Sequence, residues 1–115
     1  MDNETIPLDS SSSDAVEPMY ILSLLNNELM SSSWKLINKD YDIGRSAENN
    51  IILDDITVSR KHALLSVSNE NIKIIDNNST NGIYLNNEMI KDSQLKSGDK
   101  IQIGKYLFLL TKVKK

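Results

Sequence analysis

The segment "DDITVSRKHALLSV", residues 54–67, holds the only histidine of the chain, His62, and one of its two arginines, Arg60. Its second half alternates, with Leu65 and Val67 on one side, the period of a half-buried strand. Its first half is polar and reads as a loop feeding that strand. The other arginine, Arg45, sits in "YDIGRSAENN", residues 41–50. Every other basic side chain is lysine. Both arginines thus stand close to strand ends, one of them beside Ser59 and His62.

Working outward from this segment, short apolar runs recur every eight to twelve residues. "YILSLL", "WKLI", "YDIG", "NIILDD", "HALLSV", "IKIID", "IYLN", "KIQIG" and "YLFLL" are nine candidate strands. Between them lie the turn signals "NKD", "SNEN", "DNNSTNG", "NNE" and "KSGDK". No window carries apolar residues at helical spacing over three turns; "LLNNELM" comes nearest and is short. Many short strands with polar turns predict an all-β, antiparallel sandwich.

The first 18 residues differ. "MDNETIPLDSSSSDAVEP" carries five acids and no base, while the rest has eleven acids against thirteen bases. The segment is serine-rich and has few large apolar groups to offset its ordering entropy, so it is expected to be a disordered tail. The domain is expected over residues 19–115. A length of 115 residues suits one such domain. The absence of cysteine excludes disulfides and thiolate metal sites. The apolar runs are too short for a membrane span. No basic stretch followed by an apolar one opens the chain, so a cytoplasmic protein is the expectation.

In a sandwich the loops of one end are free to carry a site. Gly44-Arg45, Ser59-Arg60-Lys61-His62, Ser79-Thr80-Asn81-Gly82 and Asn86-Asn87 hold the unusual residues. They offer a guanidinium fork, hydroxyls, a carboxamide and glycines permissive of positive φ. That set suits a phosphate carried on a peptide. Arginine donates two parallel bonds to phosphate oxygens, and serine and backbone N–H groups supply further donors. An asparagine side chain can pair with a peptide backbone through both its N–H and its C=O.

Four motifs, "IGR", "VSRKHA", "D-x-x-S-x-N-G" from Asp76 and "L-x-x-G-D-x-I-x-I-G" from Leu95, stand in this order. Together they resemble the forkhead-associated (FHA) domain over roughly residues 20–112. The resemblance implies an eleven-stranded β-sandwich that binds phosphothreonine peptides without catalysis. By position, Arg45 matches the arginine that pairs with phosphate and Ser59 the serine that bonds a phosphate oxygen. Arg60 follows where a further polar phosphate contact is common. Thr80 and Asn81 match positions that contact the peptide backbone. Gly44, His62 and Gly82 match residues that support the loops. Ile83 departs from the family, which often has threonine there; this bears on strand packing rather than on phosphate.

Other chemistries are disfavoured. Ser59 and His62 lie three apart at a strand start with no orienting acid or oxyanion-hole signature, so an enzyme is not expected. A single histidine argues against a histidine-based zinc site, and no metal or cofactor is predicted. Few aromatics and no basic run interleaved with them argue against nucleic acid. The expected partners are a phosphothreonine-containing protein and an upstream Ser/Thr kinase, the chain acting as adaptor or regulator. The alternative is an FHA-fold assembly module that binds independently of phosphorylation. Thr5, the one threonine of the tail, is a candidate phosphorylation position that would make the tail a built-in ligand.

Overall fold

A computed structural model describes residues 19–25 and 32–113. Eleven strands form two sheets, and among the described residues there is no helix. The strands are β1 Met19–Leu24, β2 Ser33–Leu36, β3 Lys39–Gly44, β4 Ile51–Ile52, β5 Ala63–Ser68, β6 Asn71–Asp76, β7 Ile83–Leu85, β8 Glu88–Ile90, β9 Asp92–Leu95, β10 Lys100–Ile103 and β11 Tyr106–Val113. One sheet runs β2-β1-β11-β10-β7-β8, the other β4-β3-β5-β6-β9. Nine of these match the runs read above. The two others are edge strands of three and four residues: β9 is mostly polar, and β8, Glu-Met-Ile, is too short to announce itself.

Alternation decides which face of each strand is buried. In β5, Ala63, Leu65 and Val67 point inward; in β6 Ile72 and Ile74 do; in β10 Ile101 and Ile103 do. Phe108 and Leu110 of β11, the neighbour of β10 in the larger sheet, are buried with them. Each such side chain removed from water contributes about 1.5–3 kcal/mol. Between the sheets there remains a void of about 10 Å³, bounded by Leu22, Ile43 and Phe108 among others, which is too small for a ligand. Trp34, on edge strand β2, covers one flank, its ring 6.0 Å from that of Phe108.

One pairing departs from the antiparallel rule. β4 lies parallel to β3, with Ile43 opposite Ile51 and Gly44 opposite Ile52. Parallel neighbours ordinarily need a crossover of a dozen residues or more. Here residues 45–50 suffice, because only two rungs form and the connection folds back on itself.

Two ends of the sandwich follow from the register. At one end lie Met19 opposite Val113, the β5–β6 turn at Asn69 and the β7–β8 turn at Asn86-Asn87. At the other lie the C-terminus of β3, the N-termini of β5 and β7, and the β10–β11 turn at Gly104-Lys105.

Candidate functional site

The second end gathers the loops β3–β4, β4–β5 and β6–β7. The first two are held side by side by backbone bonds: Arg45 N–H donates to the Ser59 carbonyl (3.0 Å) and Ser46 N–H to the Arg60 carbonyl (3.2 Å). Gly44 is buried where they meet. A Cβ on it would run into the Arg60 carbonyl, so only glycine allows this approach.

Arg45 is exposed, and its Nε–H donates to the Val58 carbonyl at 3.0 Å. That bond fixes the plane of the guanidinium. Its two terminal nitrogens meet no acceptor among the described residues, so the fork is aimed and open. Ser59 stands on the adjoining strand of backbone. Its hydroxyl oxygen accepts from Thr80 N–H at 3.0 Å, which leaves the hydroxyl proton available to an incoming acceptor. Arg60 is exposed beside it, and Lys61 pairs loosely with Glu48 across the two loops at 4.0 Å.

His62 is fully buried. Its Nδ1 accepts from Ser59 N–H at 3.0 Å, and its Nε2 lies 2.7 Å from the Gly82 carbonyl. An accepting Nδ1 requires the proton on Nε2, so the ring is the neutral Nε2–H tautomer donating to Gly82. Its backbone joins a third element, accepting from Asn77 N–H at 3.0 Å. One residue therefore ties β4–β5 to β6–β7. The Ser59 hydroxyl does not face the imidazole; the backbone N–H does. This is not the contact of a nucleophile with its base.

The third loop is organised by Asp76. Its carboxylate accepts from the Ser79 hydroxyl and N–H, and the Ser79 oxygen in turn accepts from Gly82 N–H at 2.9 Å. Asn78 and Gly82 take positive φ, 54° and 81°, to close the turn. Thr80 and Asn81 are left exposed at its tip. The Asn81 Nδ2 donates to the Thr57 carbonyl at 2.9 Å, leaving its Oδ1 and second N–H outward.

Thr57 links this loop to the β10–β11 turn. Its hydroxyl and N–H donate to Asp55, and its hydroxyl oxygen accepts from Lys105 N–H at 3.0 Å. The Asp55 carboxyl is held down to about 2, first by the Thr57 hydroxyl, then by the Thr57 N–H, with Lys105 at 3.2 Å adding to them. Desolvation opposes the shift and loses. The same pairing raises the Lys105 ammonium above its ordinary value. Sequence reading did not single out Asp55, Thr57 or Asn49; Thr57 and Asn49 bond backbone groups far along the chain, and Asp55 pairs with the distant Lys105 side chain, which no local pattern announces.

Beside Asn81 a hollow of about 190 Å³ opens between Thr57, Gly82, Tyr84, Gly104 and Lys105. A larger one, about 510 Å³, lies at the opposite end, lined by Met19, Leu36, Ile37 and Glu70 among others. It has no arginine, serine or threonine in its wall, so convergent donors, not volume, mark the site. Asn86-Asn87 closes the β7–β8 hairpin at that opposite end, away from the other three loops. Thr5 lies outside the described residues. Among the described residues there is no cluster of metal-binding side chains and no helix long and apolar enough to cross a membrane.

The comparisons with known proteins bear on this end of the molecule. The FHA domain family model matches residues 41–104. The chain is 43% identical over 63 residues to the glycogen accumulation regulator GarA of Mycobacterium tuberculosis, a match covering 55% of this chain and 39% of that protein. It is 44% identical over 63 residues to the oxoglutarate dehydrogenase inhibitor of Corynebacterium diphtheriae, covering 55% of this chain and 44% of that one. The matches thus span less than half the length of these curated relatives. Among solved structures, the FHA domain of the CT664 protein from Chlamydia trachomatis superposes with a TM-score of 0.79 at 27% identity, covering 84% of this chain and 99% of that one. EmbR of Mycobacterium tuberculosis, in complex with a low-affinity phosphopeptide, gives 0.73 at 30% identity over 81% of this chain and 24% of its own. The matched span runs from Tyr41 in β3 to Gly104 in the β10–β11 turn, taking in all three loops of this end, and the chain belongs to the FHA domain family.

Proposed function

We propose that the loop end reads phosphothreonine in partner proteins and that its ligand contacts are made by Arg45, Ser59, Arg60, Thr80 and Asn81. FHA domains are binding modules, not enzymes, and the reading follows that of the family. In it the Arg45 fork and the Ser59 hydroxyl hold the phosphate, with Arg60 adding a contact. Thr80 and Asn81 meet the peptide backbone, and Gly44, His62 and Gly82 hold the loops in place. The observation that carries it is the Arg45 guanidinium, fixed through Nε on Val58 and open at both terminal nitrogens beside an available hydroxyl. A planar fork matches phosphate oxygens better than an ammonium does.

The wider role is that of a non-enzymatic adaptor or regulator downstream of a Ser/Thr kinase, in the cytoplasm. The names of the relatives, a regulator of glycogen accumulation and an inhibitor of a dehydrogenase, support regulation of a metabolic enzyme as the form it takes. The test is calorimetric titration with one peptide in three forms: phosphothreonine, phosphoserine and unphosphorylated. The γ-methyl of threonine, buried between loops, is worth about 0.8 kcal/mol, and an empty notch adds to that. Phosphothreonine should therefore be preferred several-fold over phosphoserine, with no measurable binding of the unphosphorylated form. Equal affinity for all three would remove the reading.

A further inference from the structure

Asn49 touches none of the side-chain groups assigned above to the ligand, yet its buried side chain joins two of the loops carrying them. It is 6% exposed, near the end of the β3–β4 connection. Its Nδ2 donates twice, to the Ser46 carbonyl and to the Arg60 carbonyl, both at 2.8 Å. Its backbone N–H donates to the Ser46 carbonyl as well, at 3.1 Å. The connection from Arg45 to Asn50 is thereby closed on itself and latched to the residue that follows Ser59.

Two further observations make this latch specific. The Arg60 carbonyl receives both Asn49 Nδ2 and Ser46 N–H, so it is the shared acceptor on which the two loops converge. Gly44 is the residue that lets that carbonyl approach, since a Cβ there would meet Arg60 and would lie 2.9 Å from Asn49 Nδ2. The Asn49 Oδ1 is buried without a partner. A buried unpaired acceptor carries a cost, and the site tolerates it because the amide's donors are spent on the two carbonyls.

We infer that Asn49 is a positioning residue for phosphate recognition: it fixes the spacing between Arg45 and the Ser59-Arg60 pair, and it does so through backbone carbonyls rather than through the ligand. The inference rests on the reading of this end as a phosphothreonine site. Without the latch, the backbone bonds from Arg45 to Ser59 and from Ser46 to Arg60 still join the loops, but the Arg60 carbonyl loses its buried second donor and the separation of the Arg45 fork from the Ser59-Arg60 pair is held less tightly. A phosphate then meets them in turn rather than together, and affinity falls although every contact group survives.

Three variants separate this from simple stabilisation. Asn49→Ala removes both donors. Asn49→Asp keeps the shape and sets a carboxylate against two carbonyls. Asn49→Ser restores one donor on a shorter arm. Calorimetry with a phosphothreonine peptide, at a temperature where each variant is fully folded, should show about a tenfold loss for Asn49→Ala, at least as much for Asn49→Asp, and partial recovery for Asn49→Ser. In the ligand-free proteins, the NMR signal of the Arg45 Nε–H, bonded to Val58 in the wild type, should shift or broaden in the Ala and Asp variants. Wild-type affinity in a folded but less heat-stable Asn49→Ala protein would make Asn49 a stabilising residue only. An unchanged Arg45 Nε–H signal in the Ala and Asp variants would overturn the positioning role even if the wild type failed to bind phosphopeptide, a failure that would itself fall on the proposed function.

Discussion

The two ends of the sandwich solve the same problem, reversing the chain, in different ways. At the end holding Met19 and Val113 the reversals are tight. Asn69, Asn86, Asn87 and Gly98 take positive φ, and strands resume within two to four residues. At the other end, residues 53–62 run between β4 and β5 with no strand. They are held by side chains instead: His62 to Ser59 and Gly82, Thr57 to Asp55 and Lys105, Asn81 to Thr57. The tight turns spend their polar groups on one another, Asn86 on Asp99 and Lys100, Asn69 on Asn38. A braced loop fixes its backbone from beneath and leaves groups such as the Arg45 fork pointing outward. The difference teaches why a rigid site can sit on loops: rigidity comes from polar side chains inside, not from short length.

The widest separation between the ends is expected at Arg45. Arg45→Ala should leave the fold intact and abolish phosphopeptide binding, since two charge-assisted bonds are together worth roughly 3–6 kcal/mol. Calorimetry checks it; an affinity close to wild type would place the phosphate elsewhere. His62→Ala tests the bracing itself. It strands the Ser59 N–H and the Gly82 carbonyl and opens a cavity, for a cost on the order of 3–5 kcal/mol in stability. Urea unfolding within 1 kcal/mol of wild type would mean that the loops stand without the histidine.

A smaller effect belongs to Asp55. Its carboxyl is lowered from 3.8 to about 2 in the folded protein. A depressed value stabilises the fold above about pH 4 and ceases to do so as pH falls through 2. The gap in unfolding midpoint between wild type and Asp55→Asn should therefore be constant from pH 7 to about 4 and close between pH 4 and 2. A gap that does not change with pH would show that Asp55 does not hold this end through its charge. The smallest effect is on the tight-turn end. Asn87 has φ 74°, and Asn87→Ala should cost about 1 kcal/mol through backbone strain alone, with Asn87→Gly recovering it and binding unchanged in both. Weaker phosphopeptide binding in Asn87→Ala would break the claim that the two ends act separately.

How much of this was legible in the sequence divides along the same line. Strands with one buried face declare themselves by period, as Leu65/Val67 and Ile101/Ile103 do, and the turns at Asn69, Asn86-Asn87 and Gly98 carry the residues positive φ selects. Strands β8 and β9 were invisible to periodicity because three or four residues at a sheet edge are too few to show a period, and β9 is mostly polar besides; only the family resemblance implied eleven strands. Arg45, Ser59 and Asn81 stood out by motif spacing, and the three loops that carry them do meet at one end. Asn49 and Thr57 did not stand out. An asparagine in "ENN" reads as a surface turn residue, and its burial depends on carbonyls from Arg60, eleven residues on. Long-range side-chain-to-backbone bonds have no period, so sequence carries no local trace of them.

The pairing of Met19 with Val113 gives the domain a handle. Chain continuing from either strand departs from the end opposite the loops, one strand length or about 20 Å away. A tag, a surface or a neighbouring domain joined there would leave the reading head facing outward and unobstructed. A ligand borne on the same chain must instead travel back over the flank. Thr5 stands fourteen residues before Met19, a contour of at most roughly 48 Å and more than twice that distance, so a ligand placed there would have chain enough to span the flank.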